Sequence, residues 1–304
     1  MTATFATEVA AAADRIRPHV RHTPLLRAEV DGRPLVLKLE HLQRTGSFKL
    51  RGAVNALLTG ARPSAVVTAS GGNHGIGVAT AAAILGLPAT VYVPTSVPPG
   101  KARRIESAGA RLVRTGDTYA EAAAAAREAA GEPDVRYLEA YNDPAVIAGQ
   151  GTVAAELVED APDVDTIAVA VGGGGLAAGV SLGSEDRLVA AVEPERCACL
   201  HAAFAAGGPV DVDVESIAAS ALGATRVGEV PFAVLSSHPV RSLVVTEDEI
   251  VDARNRLWDE FRLAVEPAAA VPFAAWLSGA IPGDLPCIVL CGANIDWTPQ
   301  QHVI

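Results

Sequence analysis

The apolar positions of this chain gather into short unbroken runs separated by longer alanine-rich stretches. The clearest runs are Ala65–Ala69, Ala89–Val93 and residues 166–171, 188–192, 242–245 and 287–290. They are apolar throughout rather than alternating, which is the pattern of strands covered on both faces in a parallel sheet. Leu35-Val-Leu-Lys-Leu-Glu40 alternates instead, and that alternation turns Lys38 toward solvent. Helix start signals lie between the runs. Thr118-Tyr-Ala-Glu121 and Thr246-Glu-Asp-Glu249 match capping boxes. Pro99 and Pro144 suit the first turn of two further helices. Strand and helix in repetition predict a doubly wound α/β architecture.

Composition narrows the function classes. Half of the 304 residues are hydrophobic, so a packed core is expected. The net charge is -11 and no basic run stands out, which argues against a nucleic-acid partner. The longest apolar stretches, near 80–94 and 166–182, are too short or too broken by Gly and Pro to span a membrane. The first residues lack the basic start and apolar core of a secretion signal. Residues 5–20 carry Glu8, Asp14, Arg15 and Arg17 and read as a surface helix. Cys197, Cys199, Cys287 and Cys291 contain no C-x-x-C pair, so they read as reduced thiols of a cytoplasmic protein. No internal repeat or long linker divides the chain, and its last glycine loop lies about ten residues before the end of the sequence, so no further domain is expected.

Ligands of open α/β sheets bind beyond the C-terminal ends of the strands. Three strand ends carry unusual loops: Val67-Thr-Ala-Ser-Gly-Gly-Asn-His-Gly75, Val171-Gly-Gly-Gly-Gly-Leu176 and Leu290-Cys-Gly-Ala-Asn294. A tetraglycine between strand and helix offers several backbone N–H groups and a helix N-terminus, which suits a phosphate. The dinucleotide spacing G-x-G-x-x-G is not kept, because Ala177 stands at its sixth place, and no Walker lysine follows. Lysine is scarce: Lys38, Lys49 and Lys101 are the only three among 24 basic residues. Lys101 neighbours Arg103 and Arg104 and reads as part of a solvated helix face. Lys49 follows Gly46-Ser-Phe48 and opens a helical run through Leu58. The positive end of a helix dipole favours its neutral amine, the form that attacks a carbonyl carbon.

Taken together these segments resemble the serine/threonine dehydratase and serine racemase family of fold-type II, tryptophan-synthase-like pyridoxal-phosphate enzymes. The resemblance rests on Arg21-His-Thr-Pro-Leu25, Lys38-Leu-Glu40, Leu42-Gln-Arg-Thr-Gly-Ser-Phe-Lys-Leu-Arg-Gly-Ala53 and Ser70-Gly-Gly-Asn-His-Gly75. It continues through Pro144-Ala-Val-Ile-Ala-Gly-Gln-Gly-Thr152, Gly172-Gly-Gly-Gly-Leu176 and Cys291-Gly-Ala-Asn294, all in family order. It implies two open, twisted, mostly parallel sheets flanked by helices. It also implies a large cofactor-binding domain from residues 1–51 and 142–304 and a small, mobile domain, 52–141, for the substrate carboxylate.

The resemblance further implies roles. Lys49 would hold pyridoxal 5'-phosphate and act as the base at Cα. Phe48 would pack beside the cofactor, and Asn73 would meet its ring hydroxyl. Gly172, Gly173, Gly174, Gly175 and Leu176 would bind the phosphate through N–H groups. Ser70, Gly71, Asn73 and His74 would grip the substrate carboxylate, and Cys291 would face the pyridine nitrogen. A thiol there donates a hydrogen bond without holding the nitrogen protonated, which favours prompt β-elimination. The implied activity is ammonia release from a small β-hydroxy amino acid such as L-threonine or L-serine, by a homodimer. A serine racemase and a β-replacement enzyme of the cysteine synthase type are the alternatives. Racemases of the family carry a serine where this chain has Gly71. The family's divalent-metal site would use Glu193, the Cys197 carbonyl and position 199, where a cysteine replaces aspartate. A thiol is a poor ligand for magnesium or calcium, so no metal is expected.

Overall fold

The computed structural model describes residues 2–295, and their side chains from Thr7 onward. Helix α1 (Thr2–Ile16) leads into a hairpin of β1 (Leu25–Val30) and β2 (Arg33–Lys38). Asp31 and Gly32 turn the hairpin with φ of 52° and 72°, the left-handed pair that matches strand twist. A first α/β block follows: α2 (Lys49–Leu58), β3 (Ala65–Ala69), α3 (Asn73–Ile84), β4 (Ala89–Val93), α4 (Pro99–Ser107), β5 (Arg111–Arg114), α5 (Tyr119–Ala129) and β6 (Val135–Tyr137). The second block is α6 (Pro144–Asp160), β7 (Thr166–Ala170), α7 (Gly175–Gly183), β8 (Leu188–Pro194), α8 (Cys199–Ala206), α9 (Ala219–Leu222), α10 (Glu229–Leu235), β9 (Val240–Val245), α11 (Glu247–Phe261), α12 (Pro267–Leu277) and β10 (Pro286–Val289).

The strands form two sheets. The larger runs β1-β2-β10-β7-β8-β9, parallel apart from the antiparallel β1–β2 pair. The smaller runs β5-β4-β3-β6 and is parallel throughout. The apolar runs fall where expected because helices cover both faces: every residue of β7 is buried. Both capping boxes form, with Thr118 and Thr246 accepting from the N–H three residues on. Pro99 and Pro144 open α4 and α6, and Asp143 caps α6 by accepting from the Ala145 N–H at 2.8 Å.

Three expectations need correction. The alternation around Lys38 does not carry it to solvent. Strand β2 lies one place in from the sheet edge, and Lys38 is 0% exposed. Its ammonium donates to the Glu156 carboxylate at 2.7 Å and to the Thr23 carbonyl at 2.8 Å. Arg51, also fully buried, donates to Glu40 and Glu156, closing a charged cluster beneath α2. Helix α1 is not wholly a surface helix: Val9, Ala12 and Ile16 are buried on one side, where α1 meets α6 and α7. Lys101, expected on a solvated face, is half-buried on α4 and turned to a cavity described below.

Candidate active site

Every residue that the resemblance assigns to cofactor or substrate lines one cavity of 460 Å³, and the metal-site positions Glu193, Cys197 and Cys199 do not. Its walls are the C-terminal ends of β3 and β7, the start of α2 and the loop after β10, so both sheets contribute.

Lys49 is the first residue of α2. Its Nζ donates to the Ala140 carbonyl at 2.9 Å and lies 5.1 Å from the centre of the Phe48 ring. Burial pushes its pKa down to about 8, opposed by the Cys291 sulfur. The helix end expected to favour the free amine is present, but removal from water is the larger cause. The segment carrying Lys49 is laced to the loop carrying Cys291. Ser47 and Gly292 form an antiparallel bridge, the Phe48 N–H donates to the Cys291 carbonyl at 3.2 Å, and the Ala293 N–H donates to Gly46 at 2.9 Å. Cys291 is 3% exposed, and burial, reinforced by Glu266, pushes its thiol well above the ordinary range.

The tetraglycine leaves β7 and enters α7. Gly174 caps α7 with φ 91°, a conformation that side chains other than glycine rarely adopt. At Gly173 a Cβ would run into the Tyr141 ring, so the second glycine is required for packing. Tyr141 thereby holds the outer side of a cradle whose inner side is the first turn of α7. Leu176, in that turn, is buried.

The third loop enters α3 at Asn73 with Gly72 as its cap, so the first N–H groups of α3 face the cavity without intrahelical partners. Asn73 is tightly specified: its amide nitrogen donates to Glu266 at 2.7 Å, and its oxygen accepts from Asn294 at 2.8 Å. An amide NH₂ has two hydrogens, so one N–H of Asn73 is left over. The His74 Nε2–H donates to the Leu138 carbonyl at 3.0 Å. Burial, then Lys49, pushes its pKa down to about 3, so the ring is neutral and its Nε2 is the donor. Ser70 Oγ accepts from the Gly72 N–H at 3.2 Å and shapes the loop itself.

Sequence reading missed Glu266, Ala140 and Tyr141. Glu266 is 4% exposed, and burial raises its pKa against the hydrogen bond from Asn73. Its one sequence signal is its place directly before Pro267, the first residue of α12.

The residues at the position where the resemblance places the family's divalent metal do not fit one. Both Glu193 oxygens are taken, accepting from the Leu200 and His201 N–H groups at 2.8 Å each. Position 199 presents a thiol, which donates to the Gly172 carbonyl at 3.2 Å. Magnesium and calcium require hard oxygen ligands, and at position 199 a thiol stands in place of one.

Pyridoxal phosphate does fit. A lysine that gives up its proton more readily than usual lies in the same cavity as a glycine cradle at a helix N-terminus, which defines an enzyme that carries an aldehyde cofactor with a phosphate handle. The chain belongs to the pyridoxal-phosphate dependent enzyme family, whose sequence pattern matches residues 16–292. An L-threonine ammonia-lyase of Geobacter sulfurreducens is 38% identical over 304 residues, covering 95% of this chain and 75% of the relative. A crystal structure of a T.th. threonine deaminase superposes with a TM-score of 0.91 at 34% identity, covering 96% of this chain and 99% of the other. Maize serine racemase superposes with a TM-score of 0.90 at 29% identity, over 95% and 93% of the two chains. The fold is therefore that of the fold-type II enzymes.

Proposed function

We propose that this chain is a pyridoxal-phosphate-dependent ammonia-lyase that converts a small β-hydroxy amino acid such as L-threonine or L-serine to a 2-oxo acid and ammonia. The observation that carries the reading is the meeting of Lys49, the glycine cradle and Asn73 in one cavity, on a chain whose relatives include L-threonine ammonia-lyases. When bound, the cofactor supplies an electron sink that acidifies the Cα–H.

The protein's own residues do the rest. Lys49 holds the cofactor through its amine and, once released from it, takes the Cα proton at Nζ. N–H groups of Gly172, Gly173, Gly174, Gly175 and Leu176 bind the phosphate. The spare N–H of Asn73, its other polar atoms being fixed by Glu266 and Asn294, would be the donor to the ring hydroxyl. The Cys291 thiol would donate to the ring nitrogen without giving up its proton. The substrate carboxylate sits at the first turn of α3, on the loop of Ser70, Gly71, Asn73 and His74. His74 contributes there through its backbone, since its ring is bonded to Leu138. The small sheet lies within residues 52–141, which supports reading that segment as a separate domain whose closure would exclude water. The four cysteines are unpaired, which supports a cytoplasmic location, and no helix among the described residues is long and apolar enough to cross a membrane. Family resemblance supports a homodimer.

Elimination rather than racemisation follows from Gly71. Inverting Cα needs an acid on the face opposite Lys49, and Gly71 has no hydroxyl to give. The test is ammonia release from L-threonine, L-serine, 3-hydroxyaspartate and diaminopropionate, with D-serine and pyruvate measured together from L-serine. Pyruvate is expected to lead. D-serine forming faster at early times would replace this reading with a racemase.

A further inference from the structure

Cys197 and Cys199 lie just before and at the start of α8, beneath the floor of the site. Both are buried, at 2% and 1% exposure. Each thiol reaches a backbone carbonyl of a cavity-lining residue. Cys199 donates to Gly172, the first glycine of the cradle, at 3.2 Å. Cys197 donates to Leu222, at the end of α9, at 3.1 Å. These two target segments pack on each other: a Cβ at Gly172 would lie 3.0 Å from the Leu222 Cα. The two thiols therefore anchor one wall of the cavity from behind.

Cys199 also adjoins the Glu193 carboxylate. The Glu193 oxygens accept the Leu200 and His201 N–H groups, and the Cys199 sulfur lies within hydrogen-bond reach of both that carboxylate and the Gly172 carbonyl, tying the two together. Each sulfur reaches a carbonyl oxygen, which can only accept, so each thiol is the protonated donor of its bond.

We propose that Cys197 and Cys199 are positioning residues that hold the glycine cradle by neutral thiol hydrogen bonds, at the place where the family resemblance implies a divalent cation. The proposal rests on reading residues 172–175 as the phosphate cradle. A cation at such a site would cross-link carboxylate and carbonyl oxygens, and its loss would loosen the wall. Here the wall is tied by protons that no chelator removes, so cofactor affinity is indifferent to divalent ions.

The experiment resolves the protein from its cofactor and titrates it with pyridoxal phosphate, and separately with pyridoxal, with and without EDTA and with magnesium restored. Wild-type affinity for pyridoxal phosphate is expected to change by less than about twofold on chelation, since no hard-ligand site is offered. Cys199→Ala is expected to bind it about three- to fivefold more weakly, the size of a lost weak hydrogen bond, with affinity for pyridoxal unchanged. Cys199→Ser, which keeps a donor, is expected within about twofold of wild type. A purely packing role would instead lower both affinities alike in the alanine and serine variants. Chelation that weakens wild-type binding, with recovery on magnesium, overturns the proposal. So does an alanine variant that binds as wild type does. If the alanine variant does not fold, the chelation series and the serine variant decide alone. Should wild type bind pyridoxal as tightly as its phosphate ester, the cradle reading fails and the clamp falls with it. A preference for the ester combined with an unchanged alanine variant removes the clamp only.

Discussion

Lys38 and Lys49 lie eleven positions apart, the first fully buried and the second partly buried at a cavity wall, and do opposite things. Lys38 ends a strand and meets a carboxylate: Glu156 accepts from it at 2.7 Å. Lys49 opens a helix and meets only a peptide carbonyl, at 2.9 Å from Ala140. A buried ammonium with a carboxylate beside it keeps its charge and becomes a structural tie. One without such a partner is pushed toward the amine, here to about 8. The same side chain is rivet or nucleophile according to whether an anion shares its cavity.

The strongest way to break the contrast is Lys49→Ala. It is expected to lower ammonia release by about 10³-fold or more, as removal of a holding group and proton acceptor does. The bound cofactor's visible absorbance should vanish with it, while the melting temperature of the cofactor-free protein stays near wild type. A variant retaining a tenth of the activity would shift attention to Lys38 or Lys101.

On the other side, Glu156→Gln should leave Lys38 and Arg51 without part of their counter-charge. The expected loss is about 3 kcal/mol of unfolding free energy in urea, read from the midpoint at constant slope. Turnover per folded molecule should change little, because Glu156 faces the cluster and not the cavity.

A pH series sharpens the same contrast. Only the amine form of Lys49 attacks the cofactor's aldehyde, so capture by the cofactor-free protein should rise about tenfold per unit below the pKa and level off near 8. Stability gives a second reading with a definite sign. Between about 8 and the ordinary 10.5, the unfolded chain holds a proton that the folded one has lost, so the cofactor-free protein gains stability as pH rises. Lys38 predicts no companion rise in capture rate.

The smallest effect concerns the face opposite Lys49. Gly71 has an ordinary φ, and a Cβ there would meet Val97 at 3.3 Å, close enough to require a slight shift. Gly71→Ser should fold, retain elimination and gain slow D-serine formation from L-serine, measured by chiral chromatography. No D-serine above wild type would mean that the added hydroxyl does not reach Cα.

What the sequence revealed of this site follows from where each signal lies along the chain. Lys49 and the tetraglycine were readable because their chemistry is local: a lysine after Ser-Phe at a helix start, four glycines after a strand. The central strands were readable because burial on both faces erases alternation. The missing strands β1, β5 and β6 all sit at or beside solvent on sheet edges, where Arg111-Leu-Val-Arg114 and Val135-Arg-Tyr137 mix charge with apolar residues. Lys38 was misplaced because its partner lies 118 residues away and no pattern on β2 announces it. Glu266 escaped for the same reason, since its importance comes from Asn73, 193 residues earlier. Lys101 carried a true charge pattern, but α4 turns that side toward the cavity.

The strand order has a consequence in time. Strand β10, the last in chain order among the described residues, enters the middle of the large sheet between β2 and β7, and its following loop bonds Gly46 and Phe48. A ribosome that has delivered the first 280 residues has already produced the lysine, the cradle and the carboxylate loop. The N-terminal hairpin still has no partner in the sheet, and Lys49 has no Cys291 behind it. Cofactor capture therefore waits until β10 has been made, and a nascent chain stopped short of β10 should pass unlabelled through a pool of pyridoxal phosphate that a chain carrying β10 drains.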